Sequence, residues 1–193
     1  TFGSGSPPLV YAGANQPQML HATVPAADGV MYSDMTRQLI GTTTQRTVDA
    51  LADKGKPRAG YRISNIWAWH VKTDREVAMR EARRELLLRG LMERWYLESF
   101  LPSAEIDIIE KNKGGLFKAY RDRSGVINGI PAQIIDTCIA NFTFTGTPEE
   151  IGPRMAELTA FRDAGVDELN FRLHDDSAAA IRLIGEHVIP RLS

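Results

Sequence analysis

Strand-like and helix-like segments alternate along the whole chain. Short apolar or β-branched runs typical of buried strands occur at residues 9–12, 30–33, 61–71 and 169–173. Between and after these runs, apolar residues recur at helical spacing. Strands joined by helices are parallel, with right-handed crossovers. The order therefore predicts an α/β fold, and four such strands indicate half of an eight-stranded (β/α)8 barrel of the TIM type.

Several helix boundaries carry their own signals. Asn15 is expected to cap the first helix, with Pro17 in its first turn, and Asp74 to cap a long helix that runs to about Leu97. Thr147-Pro148-Glu149-Glu150 is a capping box with proline at the first helical position. Asp176 or Ser177 opens the final helix. These signals predict where helices begin, independently of the periodicity.

The remaining segments are less regular. Residues from about 98 to 140 carry helical signals without a clear strand, and we interpret them as a helical insertion within one domain of residues 1–193. The opening residues, Thr-Phe-Gly-Ser-Gly-Ser-Pro-Pro, form no periodic element. They are typical of a linker, a tag remnant or the exposed approach to a strand.

Composition excludes several classes of function. The net charge of −1 lacks the excess of Lys and Arg that nucleic-acid binding needs. No apolar run approaches the length of a membrane span, and no signal peptide is visible. The single cysteine, Cys138, cannot form an internal disulfide. We therefore expect a cytoplasmic protein that binds neither nucleic acid nor membrane.

Familiar catalytic motifs are also missing. The four histidines show no H-x-x-H spacing and have no cysteine pair beside them, so no metal site is expected. The sequence lacks Gly-x-Ser-x-Gly, a Walker loop and GxGxxG, which removes the motif-based argument for a hydrolase, a P-loop or a Rossmann protein. The residues alone name no catalytic acid or base.

The carboxyl ends of the expected strands are the natural place for a binding site, as in other parallel barrels. Small or polar residues follow the first strand there: Ala12, Gly13, Ala14, Asn15 and Gln16. Small side chains let backbone N–H groups approach an anion closely, but the same residues also suit a turn for close packing. Tyr32, Ser33 and Asp34 end the next strand, where a hydroxyl or carboxylate could contact a phosphate; Ser33 or Asp34 could instead cap a helix.

Polar residues also end the last two expected strands. His70 follows Trp67 and Trp69; one tryptophan is expected to face the barrel interior and His70 the other way. Arg172 and His174 share one face at the end of the final strand, where anionic substrate groups would sit. We consider these three as substrate-binding candidates, the alternative being ordinary polar neighbours.

Two long stretches resemble a known family. PLVYAGANQPQML…AADGVMYS resembles the fifth strand, helix and sixth strand of the luciferase-like monooxygenase superfamily, which includes deazaflavin-dependent methylenetetrahydromethanopterin reductases. IPAQIIDTCIANFTFTGTPEEI…FRDAGVDELNF…IGEHVIPRL resembles the ending of the same family. The chain departs from the family at Gln16, where glycine is frequent, and at Val24-Pro25, where Ala-Gly is frequent.

The resemblance implies a specific function. It implies a flavin- or deazaflavin-dependent oxidoreductase that transfers a hydride between F420, or FMN, and a small organic substrate. The cofactor phosphate would lie on Ala12 to Gln16, with Tyr32 and Ser33 beside it. The first four barrel strands have no counterpart here, so we expect the C-terminal half of a longer enzyme, and a homodimer. The alternative is a non-catalytic truncated barrel that binds flavin or a partner chain.

Overall fold

The computed structural model describes residues 7–192, so the first six residues of the irregular N-terminal segment lie outside it. The strands are β1 Tyr11–Gly13, β2 Gly29–Ser33, β3 Arg62–Val71, β4 Thr143–Gly146 and β5 Glu168–Arg172. The helices are α1 Pro17–Thr23, α2 Ile40–Asp53, α3 Arg75–Glu85, α4 Arg94–Leu97, α5 Ser103–Lys111, α6 Lys113–Arg121, α7 Ala132–Phe142, α8 Pro148–Ile151, α9 Met155–Asp163, α10 Ser177–Leu183 and α11 Ile189–Leu192. Short 3-10 turns occupy Val24–Ala26, Leu86–Leu88 and Gly90–Met92, and a π turn occupies Ile184–Val188.

All strand pairs of the described sheet are parallel. β1 pairs with β2 and β2 with β3. Ser64 of β3 is paired with Met31 of β2 and also with Glu168 of β5, so β2 and β5 must lie on opposite edges of β3. The sequence prediction of an α/β fold with a parallel sheet is confirmed, and the four predicted strands lie in the order β1, β2, β3, β5.

The sequence prediction missed β4. This strand pairs with the last four residues of β3, from Ala68 to Val71. Its Phe144 ring stacks on Trp69 with centroids 5.0 Å apart and planes 9° apart. The alternating Thr-Phe-Thr run that follows α7 has the period of two that a strand requires. The signal is present in the sequence, but it directly precedes the capping box and is too short to stand out.

The predicted helix from Asp74 to Leu97 is wrong in its second half. Helix α3 ends at Glu85, and Gly90, Leu91 and Met92 adopt left-handed backbone conformations with φ of 53°, 49° and 49°. The N–H of Gly90 donates to the Asp34 carboxylate at 3.2 Å. A Cβ on Gly90 would lie 2.5 Å from the Tyr96 ring, so this close approach requires glycine. Tertiary contacts therefore override the helical pattern here.

Other boundaries agree more closely. Asp74 caps α3 by accepting from the N–H groups of Glu76 and Val77, and Asp176 caps α10. The capping box of Thr147 and Glu150 forms as expected at α8. The segment from 98 to 140 contains α5, α6 and most of α7. Whether that segment is an insertion remains a prediction. No helix in the described part of the chain is long and apolar enough to cross a membrane.

Gly29 provides a test of the sheet packing. A Cβ on Gly29 would lie 2.6 Å from the backbone oxygen of Arg62 and 2.9 Å from the Tyr11 ring. We expect Gly29→Ala to lower the free energy of unfolding by about 1–3 kcal/mol, because neighbouring backbone must shift. Urea denaturation measures the change. Gly13→Ala is the matched control in the neighbouring strand, since a Cβ there meets nothing within 4 Å. Equal stability of the two variants would contradict the close approach.

Candidate functional site

The carboxyl end of β1 offers open space. Gly13 and Gln16 are exposed, whereas Ala14 is buried. A Cβ at Gly13 would have no neighbour within 4 Å, and the φ of this residue is not left-handed. Close packing therefore does not explain the glycine. The structure leaves the backbone of this segment accessible from the side that Gly13 faces.

Asn15 does not cap α1, so that prediction is wrong. The residue in the capping position is Gln16, which makes no side-chain capping bond. The Asn15 side chain instead ties β1 to β2: its Oδ1 accepts from the N–H of Ser33 at 3.0 Å and its Nδ2 donates to the Ser33 oxygen at 3.2 Å. The Tyr96 hydroxyl donates to the same oxygen at 2.6 Å. These bonds hold the ends of the two strands together.

Tyr32 lies away from this cluster. Its side chain is fully buried on the opposite face of β2, and its hydroxyl lies 2.6 Å from Thr47 Oγ1 of α2. Burial raises the pKa of the Tyr32 hydroxyl well above its usual value. The structure thus brings Ser33, but not the Tyr32 side chain, to the end of β1.

Asp34 and Arg89 form a buried ion pair directly after β2. Arg89 Nη1 donates to Asp34 Oδ1 at 2.9 Å. The Arg89 side chain is 0% exposed and the Asp34 side chain is 1% exposed. Asp34 adopts a left-handed conformation with φ of 57°, and it also accepts from Ser33 Oγ at 3.2 Å. Arg89 Nε and Nη2 are buried without a partner in the described structure. The sequence suggests a phosphate contact or a helix cap for Asp34, but in the structure its carboxylate is paired with Arg89. Arg89 is not a site candidate on the sequence alone.

His70 and His174 meet at the ends of β3 and β5. Their rings stack with centroids 4.9 Å apart and planes 12° apart. His70 Nδ1 lies 2.7 Å from Glu81 Oε2, and His174 Nδ1 lies 3.8 Å from Glu85 Oε2. Glu81 and Glu85 are one turn apart on α3, so one helix supplies both carboxylates. Both histidine Nε2 atoms are buried and unpaired in the described structure.

Burial controls the protonation of this pair. It lowers the pKa of His70, against the opposing hydrogen bond from Glu81. Burial and the neighbouring His70 lower the pKa of His174 to about 4. Burial by itself raises the pKa of Glu81, but hydrogen bonds from His70 and Lys72 outweigh it, and the pKa lies below its usual value. At neutral pH, neutral histidines therefore stand beside ionised Glu81, with His70 donating its Nδ1 proton.

These shifts predict acid-sensitive stability. The unfolded chain binds more protons than the folded one wherever a folded pKa is depressed, so the free energy of unfolding should fall from about pH 6.5 to about pH 4. We expect His174→Gln to make this decline shallower, as measured by urea denaturation across that range. The exposed His21 provides the control, because His21→Gln should keep the wild-type dependence. A decline unchanged in His174→Gln would contradict the assignment.

The tryptophan prediction is wrong. Trp67 packs against Phe161 of α9 at 4.9 Å, and Trp69 packs against Phe144 and Phe171. Residues two apart on a strand share a face, so both rings lie on the face of β3 that packs against α9, and His70 lies on the other face. On that other face, Tyr11 donates to Glu168 at 3.0 Å, and Asn170 donates to Ser64. Arg172 lies half-buried at the carboxyl end of this polar face.

Of the sequence candidates, the structure brings His70 and His174 together and places Ser33 beside Asn15. Sequence reasoning missed Arg89, Glu81 and Glu85. Asp34 is a candidate on the sequence as a phosphate contact or a helix cap, and no sequence pattern links it to Arg89. Among residues 7–192, no three or more His, Cys, Asp or Glu side chains are placed to hold a metal ion.

A parallel sheet joined by helices, with polar residues at the strand carboxyl ends, defines an α/β protein. In folds of this class, ligands commonly bind at those ends. The model of the luciferase-like monooxygenase family matches residues 2–168. The chain belongs to this family, which confirms the resemblance seen in the sequence.

Three known proteins are similar to this chain in sequence or in fold. A 5,10-methylenetetrahydromethanopterin reductase from Archaeoglobus fulgidus is 27% identical over 199 residues, which cover 99% of this chain and 56% of the relative. The coenzyme F420-dependent tetrahydromethanopterin reductase from Methanopyrus kandleri superposes with a TM-score of 0.72 at 18% identity, over 95% of this chain and 50% of that one. An F420-dependent secondary alcohol dehydrogenase superposes with a TM-score of 0.58 at 15% identity, over 95% of this chain and 48% of that one. The chain thus spans about half the length of these relatives.

Proposed function

We propose that this chain is the C-terminal half of a (β/α)8 oxidoreductase that transfers a hydride between F420, or FMN, and a small organic substrate. The observation that carries the proposal is the match of nearly the whole chain to about half of F420-dependent relatives. The proposed cofactor is taken from those F420-dependent relatives, and the proposed class of enzyme is taken from the family. The proposal treats residues 1–193 as one domain with a helical insertion at about 98–140.

The sheet itself supports a half-barrel. In the described residues β1 pairs only with β2, and the outer edge of β5 has no partner strand. The polar face of the sheet carries Arg62, Glu168 and Asn170, which are not fully buried. Unpaired edges favour association with another strand. Four further strands would close both edges and cover this face.

The cofactor phosphate is proposed to lie on the segment Ala12 to Gln16, with Ser33 beside it. The open space at Gly13 fits this role, because an anion can approach the backbone without meeting a side chain. Asn15 and Tyr96 are proposed to hold the two strand ends at a fixed distance rather than to contact the phosphate. The backbone of Tyr32 belongs to the same strand end, although its hydroxyl is engaged by α2.

His70, Arg172 and His174 are proposed to form part of the substrate wall. Arg172 supplies a positive charge at the end of β5, and the histidine pair lies next to it. The bound cofactor would supply the hydride chemistry. This part of the protein would bind the phosphate, orient the cofactor ring through it and exclude water. A catalytic acid or base is assigned to none of its residues.

The open edges favour a second candidate, a non-catalytic truncated barrel that binds flavin or a partner chain. A sheet with partly exposed polar residues on one face and two unpaired edges suits a chain that pairs with another, including a second copy in a homodimer. The two candidates differ in turnover and in the length of the natural polypeptide.

Cofactor titration tests the proposal. The protein should bind F420 or FMN, followed by the change in cofactor fluorescence, and the intact mass of the natural protein should exceed 21.4 kDa. The longer protein should also reduce or oxidise the bound cofactor when a substrate is supplied. A natural mass equal to this chain, with cofactor bound and no turnover, would support the truncated barrel instead. Binding of neither cofactor by the full polypeptide would reject the oxidoreductase and the flavin-binding form of the truncated barrel.

A further inference from the structure

A cleft of about 650 Å³ opens where β3 and β5 end. Its apolar lining includes Val71 of β3, Val77 of α3 and Leu183 of α10. The volume is within the range of about 300–1,000 Å³ found for small-molecule sites. Val71 faces the opposite side of β3 from its neighbour His70. The cleft is therefore separated from the proposed cofactor and substrate residues, with Glu81 in the dividing wall.

Positive charges surround this apolar lining. Lys72, Arg84 and Arg123 converge on Asp175, an exposed residue of the loop after β5. Arg84 Nη1 lies 2.6 Å from Asp175 Oδ2, and Arg123 Nη2 lies 3.0 Å from Oδ1. Lys72 donates to the backbone oxygen of the same residue. The exposed Asp175 carboxylate thus contacts two arginines, and the backbone oxygen of the same residue contacts a lysine.

Arg80 adds a positive charge that has no ion-pair partner among the described residues. It lines the cleft and is exposed, and no carboxylate of the described residues lies within 4.0 Å of it. The backbone of Arg80 is fixed against the neighbouring turn, because a Cβ on Gly125 would lie 2.6 Å from the Arg80 oxygen. In the same turn, Arg123 adopts a left-handed conformation with φ of 58°. Both arginines therefore stand on constrained backbone at the rim.

The other carboxylates of the cleft are engaged. Asp74 and Asp176 cap α3 and α10 through backbone N–H groups. Glu81 accepts from Lys72 at 3.1 Å and lies 2.7 Å from His70. An incoming anion would thus find an unpaired donor at Arg80, and Arg123 would become available once Asp175 is displaced.

We propose that this cleft is a second ligand site, which binds an organic anion with an apolar body, of the aromatic or aliphatic carboxylate and sulfonate class. The anionic group binds Arg80 and Arg123, and the body packs on Val77 and Leu183. Asp175 acts as an internal counter-ion that the ligand displaces. The proposal stands independently of the cofactor site.

The test uses two fluorescent probes on the full polypeptide: 8-anilinonaphthalene-1-sulfonate, which is anionic, and N-phenyl-1-naphthylamine, its neutral analogue. Arg80→Glu should weaken sulfonate binding at least about tenfold and leave the neutral probe unchanged, because it reverses one charge at the anion. Arg121→Glu is the matched control. Arg121 is exposed nearby on α6 and does not line the cleft.

A variant that binds the sulfonate more tightly provides a second test, because misfolding cannot explain a gain of affinity. Asp175→Asn should tighten sulfonate binding about tenfold, since it frees Arg123 and the Nη1 group of Arg84, whose Nε stays paired with Glu85. Circular dichroism should show the wild-type fold in each variant. Equal weakening by Arg80→Glu and Arg121→Glu, equal affinity for both probes, or absence of sulfonate binding would overturn the proposal. Displacement of the sulfonate by F420 or FMN would also overturn it, because the cleft would then belong to the cofactor site.

Discussion

Gly13→Glu is expected to abolish binding of F420 and FMN while the fold stays intact. A side chain at Gly13 meets nothing within 4 Å, so the protein itself accommodates the glutamate. The new carboxylate would fill the space proposed for the cofactor phosphate, adding a steric clash and a like charge. We expect the dissociation constant to rise at least about 100-fold, equivalent to about 2.7 kcal/mol. Fluorescence titration measures it, with circular dichroism as the check on folding.

Gly41→Glu is the matched control. Gly41 lies in the first turn of α2 and is exposed, and a Cβ there would also have no neighbour within 4 Å. The same glutamate at this position should leave cofactor affinity unchanged. Wild-type affinity in Gly13→Glu would move the phosphate site away from the end of β1. Loss of affinity in both variants would point to a general effect of charge.

Asp34→Asn is expected to cause a larger loss of stability than Gly29→Ala. Arg89 is 0% exposed, and its ion pair to Asp34 is 2.9 Å long. Removing the negative charge leaves a buried guanidinium without compensation, which costs about 3–5 kcal/mol. Asparagine tolerates the left-handed conformation of residue 34, so the backbone adds little to the effect. Denaturation by urea measures the free energy of unfolding.

The double variant Asp34→Asn/Arg89→Met separates charge from packing. Methionine removes the buried charge, so the double variant should be more stable than Asp34→Asn alone. Asp163→Asn, which breaks the exposed pair with Arg162, is the control and should change stability by less than about 1 kcal/mol. A similarly small loss in Asp34→Asn would show that water reaches the Arg89 guanidinium.

Local signals allowed most of the fold to be predicted. Apolar periodicity located β1, β2, β3 and β5 to within about two residues, because each strand carries its pattern in its own sequence. Capping chemistry located the start of α3 for the same reason. The strand β4 was missed because its short segment, Thr143–Gly146, carries too little periodicity. The break after α3 was missed because it depends on Asp34 and Tyr96, which lie outside that helix.

The candidate site was predicted only in outline. His70, Arg172 and His174 were recognised as residues at strand ends, but the stacking of the histidines depends on the register between β3 and β5. Asn15 is of a residue type that favours the cap position of a helix. In the structure its side chain instead makes two hydrogen bonds to the backbone of Ser33, whereas a helix cap would make one. A rule based on neighbouring residues does not include Ser33, which comes close to Asn15 only when β1 and β2 pair in the sheet.

The sequence by itself determined the alternation of strands and helices, the parallel sheet and the residues that end each strand. These follow from period and capping, which act over a few neighbouring residues. Only the tertiary structure decided that Arg89 pairs with Asp34, that one turn of α3 serves both histidines, and that Arg80 stands beside an apolar cleft. Those contacts join segments far apart in the chain, and their geometry is set by packing rather than by local preference.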